Sequence, residues 1–426
     1  MGVAGVSDIG ASQKGRAMNL EANRSVPPSR ALWVGFSRAV INPSRSVTLE
    51  GYKYRKTVLP PGNDGVHDPL YARVLALRDG GPPAVLVSMD LCFLTVAAAR
   101  DLRKAIVEKC EVDPARVILA ATHTHSGPAV VLDADDETGD LPAEAVQESI
   151  AYYRQLRKNI LQAVVAALAY GHSMQVYVQE VPLGLGYDRR IQTPEGVKNC
   201  WSPLDFPDLP LGLSPDPHCT MLLLRQVHGS KRLVLWSVGV HPTTLGRTSR
   251  VVSAEYPGAA CSMIEEYCPD TSAMFVLGAC GHSGPWVSVQ DAPAKVELVA
   301  RPAASMVALL MEAPRPAGGG EKLKIASRTI TIGRNELDLA VWRLGPLWLV
   351  ACPVELFGEL SLDLRRRLGG AVMLAAVANG WLGYWPTKAA FDEGAYEAAL
   401  ASEHHLEPGD GERLIDALVE LAGPLR

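Results

Sequence analysis

The octapeptide at 121–128, Ala-Thr-His-Thr-His-Ser-Gly-Pro, places two imidazoles, His123 and His125, two residues apart. It follows the apolar run Val117-Ile118-Leu119-Ala120, which reads as a buried strand. Gly127 and Pro128 then stop that run. On an extended chain, residues i and i+2 share a face, roughly 7 Å apart at ~3.3 Å per residue. That separation suits one imidazole on a metal ion and the other on whatever the ion attacks. Buried histidine pairs without a metal also exist, so a metal centre requires further ligands from elsewhere in the chain.

Candidates for those ligands share one setting. His241 follows the apolar run 232–238, and His282 sits in the small-residue turn 278–286 after the run 274–277. Glu355 follows the run 347–351, and Tyr384 lies just beyond 372–377. With His123, that makes five polar residues next to Gly or Pro at strand ends, where loops converge in α/β sheets. Each has a plainer reading. Glu355 can be a helix N-terminal charge, Tyr384 a packed ring with a satisfied hydroxyl, and His282 a structural turn residue as readily as a base or substrate contact.

The elements that must carry these residues follow from periodicity and punctuation. Runs at 84–89 and 117–120 flank a helical pattern over 95–110 with Thr95 as N-cap, so a parallel strand pair with a helical crossover is expected. Further helices are expected at 143–170, 256–266, 296–311, 358–367 and 411–422. Strands are expected at 31–36, 71–77, 175–181, 219–227, 325–332 and 337–343. The fold class is therefore α/β, with mixed sheets, helices packed on both sides, and the site at the strand ends. Residues 1–30 read as a flexible tail, 31–426 as a single domain, and 314–320 as a short linker.

Composition excludes several function classes. The chain has 426 residues, 41 basic and 46 acidic, for a formal net charge of −5. No basic block marks a nucleic-acid or anionic-membrane partner. Arg365-Arg366-Arg367 reads as a solvated face at a helix C-terminus. No apolar run approaches the ~20 residues of a membrane span, and the N-terminus lacks a signal-peptide core. Eight cysteines are scattered with no Cys-x-x-Cys, which points to reduced thiols in a cytoplasmic protein. Oligomeric state is open, with a homo-oligomer as one alternative.

The ordered motifs resemble the neutral/alkaline, non-lysosomal ceramidase family. Thr122-His123-Thr124-His125-Ser126-Gly127-Pro128 is similar to that family's Thr-His-Thr-His-Ser-Gly-Pro signature, and Gly239-Val240-His241-Pro242-Thr243 to its second histidine motif. Pro353-Val354-Glu355 resembles its Pro-Gly-Glu segment. Asn379, Tyr384, Tyr396 and Glu397 resemble its Asn…Tyr…Tyr-Glu pattern. The likeness runs from about residue 32 to about 400. Where the family has Gly-Asp-x-Ser-Pro or Gly-Asp-x-Asn-Pro, this chain has Gly281-His282-Ser283-Gly284-Pro285. The family's immunoglobulin-like C-terminal domain is not expected within these 426 residues.

The resemblance implies one catalytic Zn2+ held by His123, His241, Glu355 and Tyr384. It implies His125, Arg189 and Tyr396 facing the substrate, with His125 and Tyr396 stabilising an oxyanion, each donor worth about 3 kcal/mol. His282 stands where the family carries Asp. The implied activity is hydrolysis of an amide in a small-molecule N-acyl substrate, smaller than or different from ceramide, within lipid metabolism. Acyl transfer or ring closure in a biosynthetic pathway is an alternative on the same site. A serine hydrolase using Ser283 is another, since Gly281-His282-Ser283-Gly284 resembles the start of a nucleophile elbow. A catalytically idle binding protein is the third.

Overall fold

A computed structural model describes residues 32–136, 141–205, 211–314, 317 and 322–426. The tail expected at 1–30 and most of the linker expected at 314–320 lie outside them. An eight-stranded sheet runs in the order Thr271–Leu277, Arg232–Val238, His218–Gln226, Gly171–Pro182, Leu32–Val40, Tyr71–Arg78, Ala84–Met89, Val117–Ala121. A second sheet runs Leu323–Ile332, Asn335–Leu344, Leu347–Ala351, Ala371–Ala375. The expected parallel pair is present, with Val85 opposite Val117 and Met89 opposite Ala121. Its crossover helix, Val96–Cys110, is capped by Thr95, whose side chain accepts from the Ala98 N–H.

The two sheets pack face to face. Leu75, Leu77 and Leu86 point into the shared core with Trp342, Leu344 and Leu349. Their neighbours Val74, Ala76, Val85 and Val87 point the other way, against the helices Val96–Cys110 and Ala143–Ala169. Both faces are buried, which is why these strands read as continuous apolar runs instead of alternating ones. Helices Glu255–Tyr267 and Val296–Glu312 cover another part of the same outer face. Gly358–Leu368 and Asp410–Ala422 cover the outer face of the second sheet. The result is four layers, helix–sheet–sheet–helix.

Twist brings the two edges of the large sheet together. About 25° per step over seven steps accumulates to roughly 175°. That is enough to turn two edge strands of nominally opposite direction so that their C-terminal ends meet. The edges do approach, since the Ser88 hydroxyl donates to the Phe275 carbonyl at 2.5 Å. The segment after the last strand of the small sheet stitches them. Ala376 N–H donates to Leu277 O at 2.8 Å, and Ala121 N–H to Val377 O at 3.2 Å.

One expectation is corrected. Arg366 is exposed, but Arg365 is not part of a solvated face. Its Nε donates to Asp216 at 3.0 Å and its Nη1 pairs with Glu180, so the side chain reaches the strand Gly171–Pro182 and the segment before His218–Gln226.

Candidate metal centre

The first motif does not continue the strand. His123 has φ +67°, and its N–H donates to Leu91 O at 2.8 Å. This left-handed step turns the chain, and the His123 and His125 rings meet edge to face with centroids 4.9 Å apart and Nε2 atoms 3.4 Å apart, so both face one cluster. His125 sits against Gly51, which has φ +103° and where an added Cβ would fall 2.6 Å from the ring. Only glycine meets both demands at that position. Arg55 donates from behind to the His125 carbonyl.

Three chain segments bring the remaining groups. His241 extends from Arg232–Val238, and its Nδ1 lies 2.7 Å from Cys280 O. His123 Nδ1 lies 2.8 Å from Cys92 O. Carbonyls only accept, so each Nδ1 carries the proton and each Nε2 keeps a bare lone pair. Glu355 is held by Gly383 O, which accepts its N–H at 2.9 Å, and the pair Glu355–Leu356 lies parallel to Tyr384–Trp385. Trp381 Nε1 donates to Glu355 Oε1 at 2.8 Å, leaving Oε2.

Glu355 Oε2 lies 2.9 Å from His241 Nε2 and 3.4 Å from His123 Nε2. Both His241 Nε2 and Glu355 Oε2 are buried and have no hydrogen-bond partner. Lone pairs aimed at one point are unfavourable unless a cation sits between them, and this donor set fits one. Among the described residues, ligand atoms of His123, His241, Cys280 and Glu355 all lie within 4.8 Å of one another.

The protonation states agree. Burial drives His241 down to about 4. Burial, with the nearby His123 and His241, drives His125 well below the ordinary imidazole range. Burial works against ionisation of Glu355, but the two imidazoles hold it well below the carboxylate range. Neutral imidazoles and a carboxylate are the forms that bind a metal ion.

Tyr384 borders this group, its ring centroid 6.2 Å from that of His241. Tyr396 meets the Tyr384 ring at 5.8 Å and the Trp201 ring at 4.9 Å, and is 42% exposed, so these aromatic rings form a rim. Arg189 is buried between them, over the rings of Trp201 and Tyr384. Two of its nitrogens are already engaged: Nε with Glu397 and Nη2 with Gly281 O, each at 2.7 Å.

His282 stands apart from the cluster. Its Nδ1 meets Asp188 at 3.0 Å and its Nε2 meets Glu359 at 2.9 Å. Burial alone would lower its pKa, but the two carboxylates raise it to about 9. An imidazolium with both N–H groups engaged is a clamp between two segments. Ser283 donates to Gly239 O at 2.8 Å and contacts Cys280 O at 3.1 Å, with no imidazole as partner.

Trp381, Cys280 and Cys92 carry no sequence signal of their own, but each lies near a motif: Trp381 after Asn379, Cys280 before His282, and Cys92 just beyond the strand Ala84–Met89 that pairs with the histidine strand.

This is a mixed α/β protein with a buried candidate metal centre at the strand ends. Its fold is that of the neutral ceramidases. The crystal structure of neutral ceramidase from Pseudomonas aeruginosa matches with a TM-score of 0.75 at 15% identity, over 93% of this chain and 74% of that one. A ceramidase complexed with C2 matches with a TM-score of 0.74 at 16% identity, over 93% and 75%. No protein-family model and no curated protein matches the sequence.

Proposed function

We propose that this chain hydrolyses the amide bond of an N-acyl compound at one zinc ion held by His123, His241 and Glu355. The observation that carries this is the pair of buried, unbonded lone pairs on His241 Nε2 and Glu355 Oε2, aimed at one point. A bound ion of this kind polarises a carbonyl and activates water near neutral pH.

The protein's own groups supply the rest. Water adds across the amide: its oxygen bonds to the acyl carbon as the C–N bond breaks, one of its protons goes to the leaving nitrogen, and the other is released to solvent from the product acid. His125 is neutral, its Nε2 faces His123 and its Nδ1, against Gly51, has no partner; we assign its proton to Nε2, the nitrogen that faces the cluster. That N–H donates to the oxygen on which charge develops, and the hydroxyls of Tyr384 and Tyr396 assist from the rim. Arg189 is a positioning residue: bound to Glu397, it fixes the start of the helix Tyr396–Glu403 and with it the Tyr396 ring. His282 clamps Asp188 to Glu359 and so holds the segment bearing Arg189. The aromatic rim of Trp201 and Tyr396 fits an apolar portion of the substrate.

The test is metal analysis of the purified protein together with product analysis on a panel of N-acyl amines. About one zinc per chain and chelator-sensitive release of free amine are expected. Metal-free protein that remains active, or zinc-loaded protein that cleaves no amide, overturns the proposal.

A further inference from the structure

Cys280 is placed where a metal ligand belongs. Its Sγ lies within 4.8 Å of the ligand atoms of His123, His241 and Glu355, and the side chain is fully buried. Its backbone carbonyl already takes the His241 Nδ1 proton at 2.7 Å. One residue thus orients a ligand with its main chain and directs a sulfur at the same point with its side chain.

The position is held from several sides. Gly281 N–H donates to Leu356 O at 2.9 Å, tying the turn to the segment that bears Glu355. A Cβ at Gly281 would lie 2.8 Å from Glu355 O, so the two segments touch backbone to backbone. Ser283 N–H donates to Cys280 O at 2.9 Å, and Arg189 Nη2 to Gly281 O at 2.7 Å. The main chain at Cys280 therefore cannot shift without disturbing His241, Glu355 and Arg189 together.

The other cysteine near the cluster, Cys92, differs. Its Sγ is 3.7 Å from His123 Nδ1, the nitrogen that is already donating to a carbonyl. It approaches the imidazole at Nδ1, whereas Glu355 approaches it at Nε2, and its sulfur groups with His123 and His125 instead of with His241 and Glu355.

We propose that Cys280 Sγ is a ligand to the ion at this centre, completing a two-nitrogen, one-oxygen, one-sulfur set. This rests on the metal-centre reading above and extends it. As the ion binds, Sγ forms a bond to it and releases the thiol proton to solvent. The thiolate and the Glu355 carboxylate together balance a divalent charge, and the sulfur biases the site toward softer ions such as zinc over magnesium or calcium. This set leaves Tyr384 outside the ligands. With a sulfur in the set, an ion bound here would have four protein ligands, the number typical of a structural zinc site, one more than the three that leave a catalytic zinc an open position.

Cobalt substitution tests this without reference to activity. Full-length apo-protein is titrated with Co2+ alone and followed by absorption. A visible d–d band at one equivalent reports the metal centre, and a near-ultraviolet thiolate-to-cobalt band reports sulfur ligation. Both bands are expected in the unaltered protein. Cys280→Ser and Cys280→Ala should keep the visible band, lose the near-ultraviolet band, and bind Co2+ at least about tenfold more weakly. Cys92→Ser should keep both bands. A visible band without the near-ultraviolet band in the unaltered protein overturns the cysteine assignment and leaves the metal centre standing. Survival of the near-ultraviolet band in both Cys280 variants overturns it as well. Absence of any cobalt band overturns the metal centre and the cysteine assignment with it.

Discussion

Nε2 of His241 and Oε2 of Glu355 lie 2.9 Å apart, buried, and make no hydrogen bond to each other or to anything else. Two acceptors held this close by separate sheets are the physical signature on which the functional reading turns. His241 follows the large-sheet strand Arg232–Val238, and Glu355 opens the short strand Glu355–Leu356 that pairs with Tyr384–Trp385.

The two histidines of the first motif should separate by role. His123→Ala should lose bound metal and activity together. His125→Ala should retain metal and lose about 10²- to 10³-fold in kcat, the cost of one oxyanion donor. Metal content by mass spectrometry, beside kcat, reads both, and metal loss in His125→Ala contradicts the division.

Trp381→Phe removes the donor to Glu355 Oε1 and preserves the stacked contact with Phe93. Losing such an outer hydrogen bond should weaken metal affinity about 10- to 100-fold while the fold persists. Competition with a chelator of known affinity measures this. Unchanged affinity shows that Trp381 does not orient the carboxylate.

Arg189→Met leaves the buried Glu397 carboxylate with only Arg190 and Asn199. Breaking one side of a buried pair should cost about 3 kcal/mol in urea unfolding. Arg189→Met combined with Glu397→Gln should cost less than the sum of the single changes. Additive losses, or a loss below about 1 kcal/mol for Arg189→Met, show that the ion pair is not what anchors Tyr396.

Acid stability should carry the mark of Asp216. Burial would raise its carboxyl, but His218, Arg365 and Ser361 outweigh it and lower it from 3.8 to about 2. A carboxyl depressed in the folded state stabilises fully above its unfolded value. That contribution, about 2 kcal/mol, is lost as pH falls from near 4 through about 2. Asp216→Asn should flatten the unfolding free energy across this window relative to the parent protein. An unchanged acid limb shows that the carboxylate makes no net contribution there.

Much of this molecule is written locally. Apolar runs mark the strands, and Thr95 and the run after it mark a helix that the structure starts at Val96. The order strand–helix–strand at 84–121 predicts a parallel pair that is present. These features depend on neighbouring residues, so periodicity and capping are enough to read them. The strand-end setting of His123, His241 and Glu355 was equally legible, because it needs only an apolar run followed by a polar residue.

Tertiary structure alone decided the rest. The left-handed step at His123 turns the chain out of the strand, and the Leu91 carbonyl accepts the His123 N–H there, so both imidazoles face one cluster. Trp381 reaches Glu355, Arg189 reaches Glu397, and His282 bridges Asp188 and Glu359 across segments that share no local pattern. Those partners are chosen by sheet twist and by the packing of one sheet on another. Such forces sum over the whole chain, so no single stretch of sequence reveals which side chains they bring together.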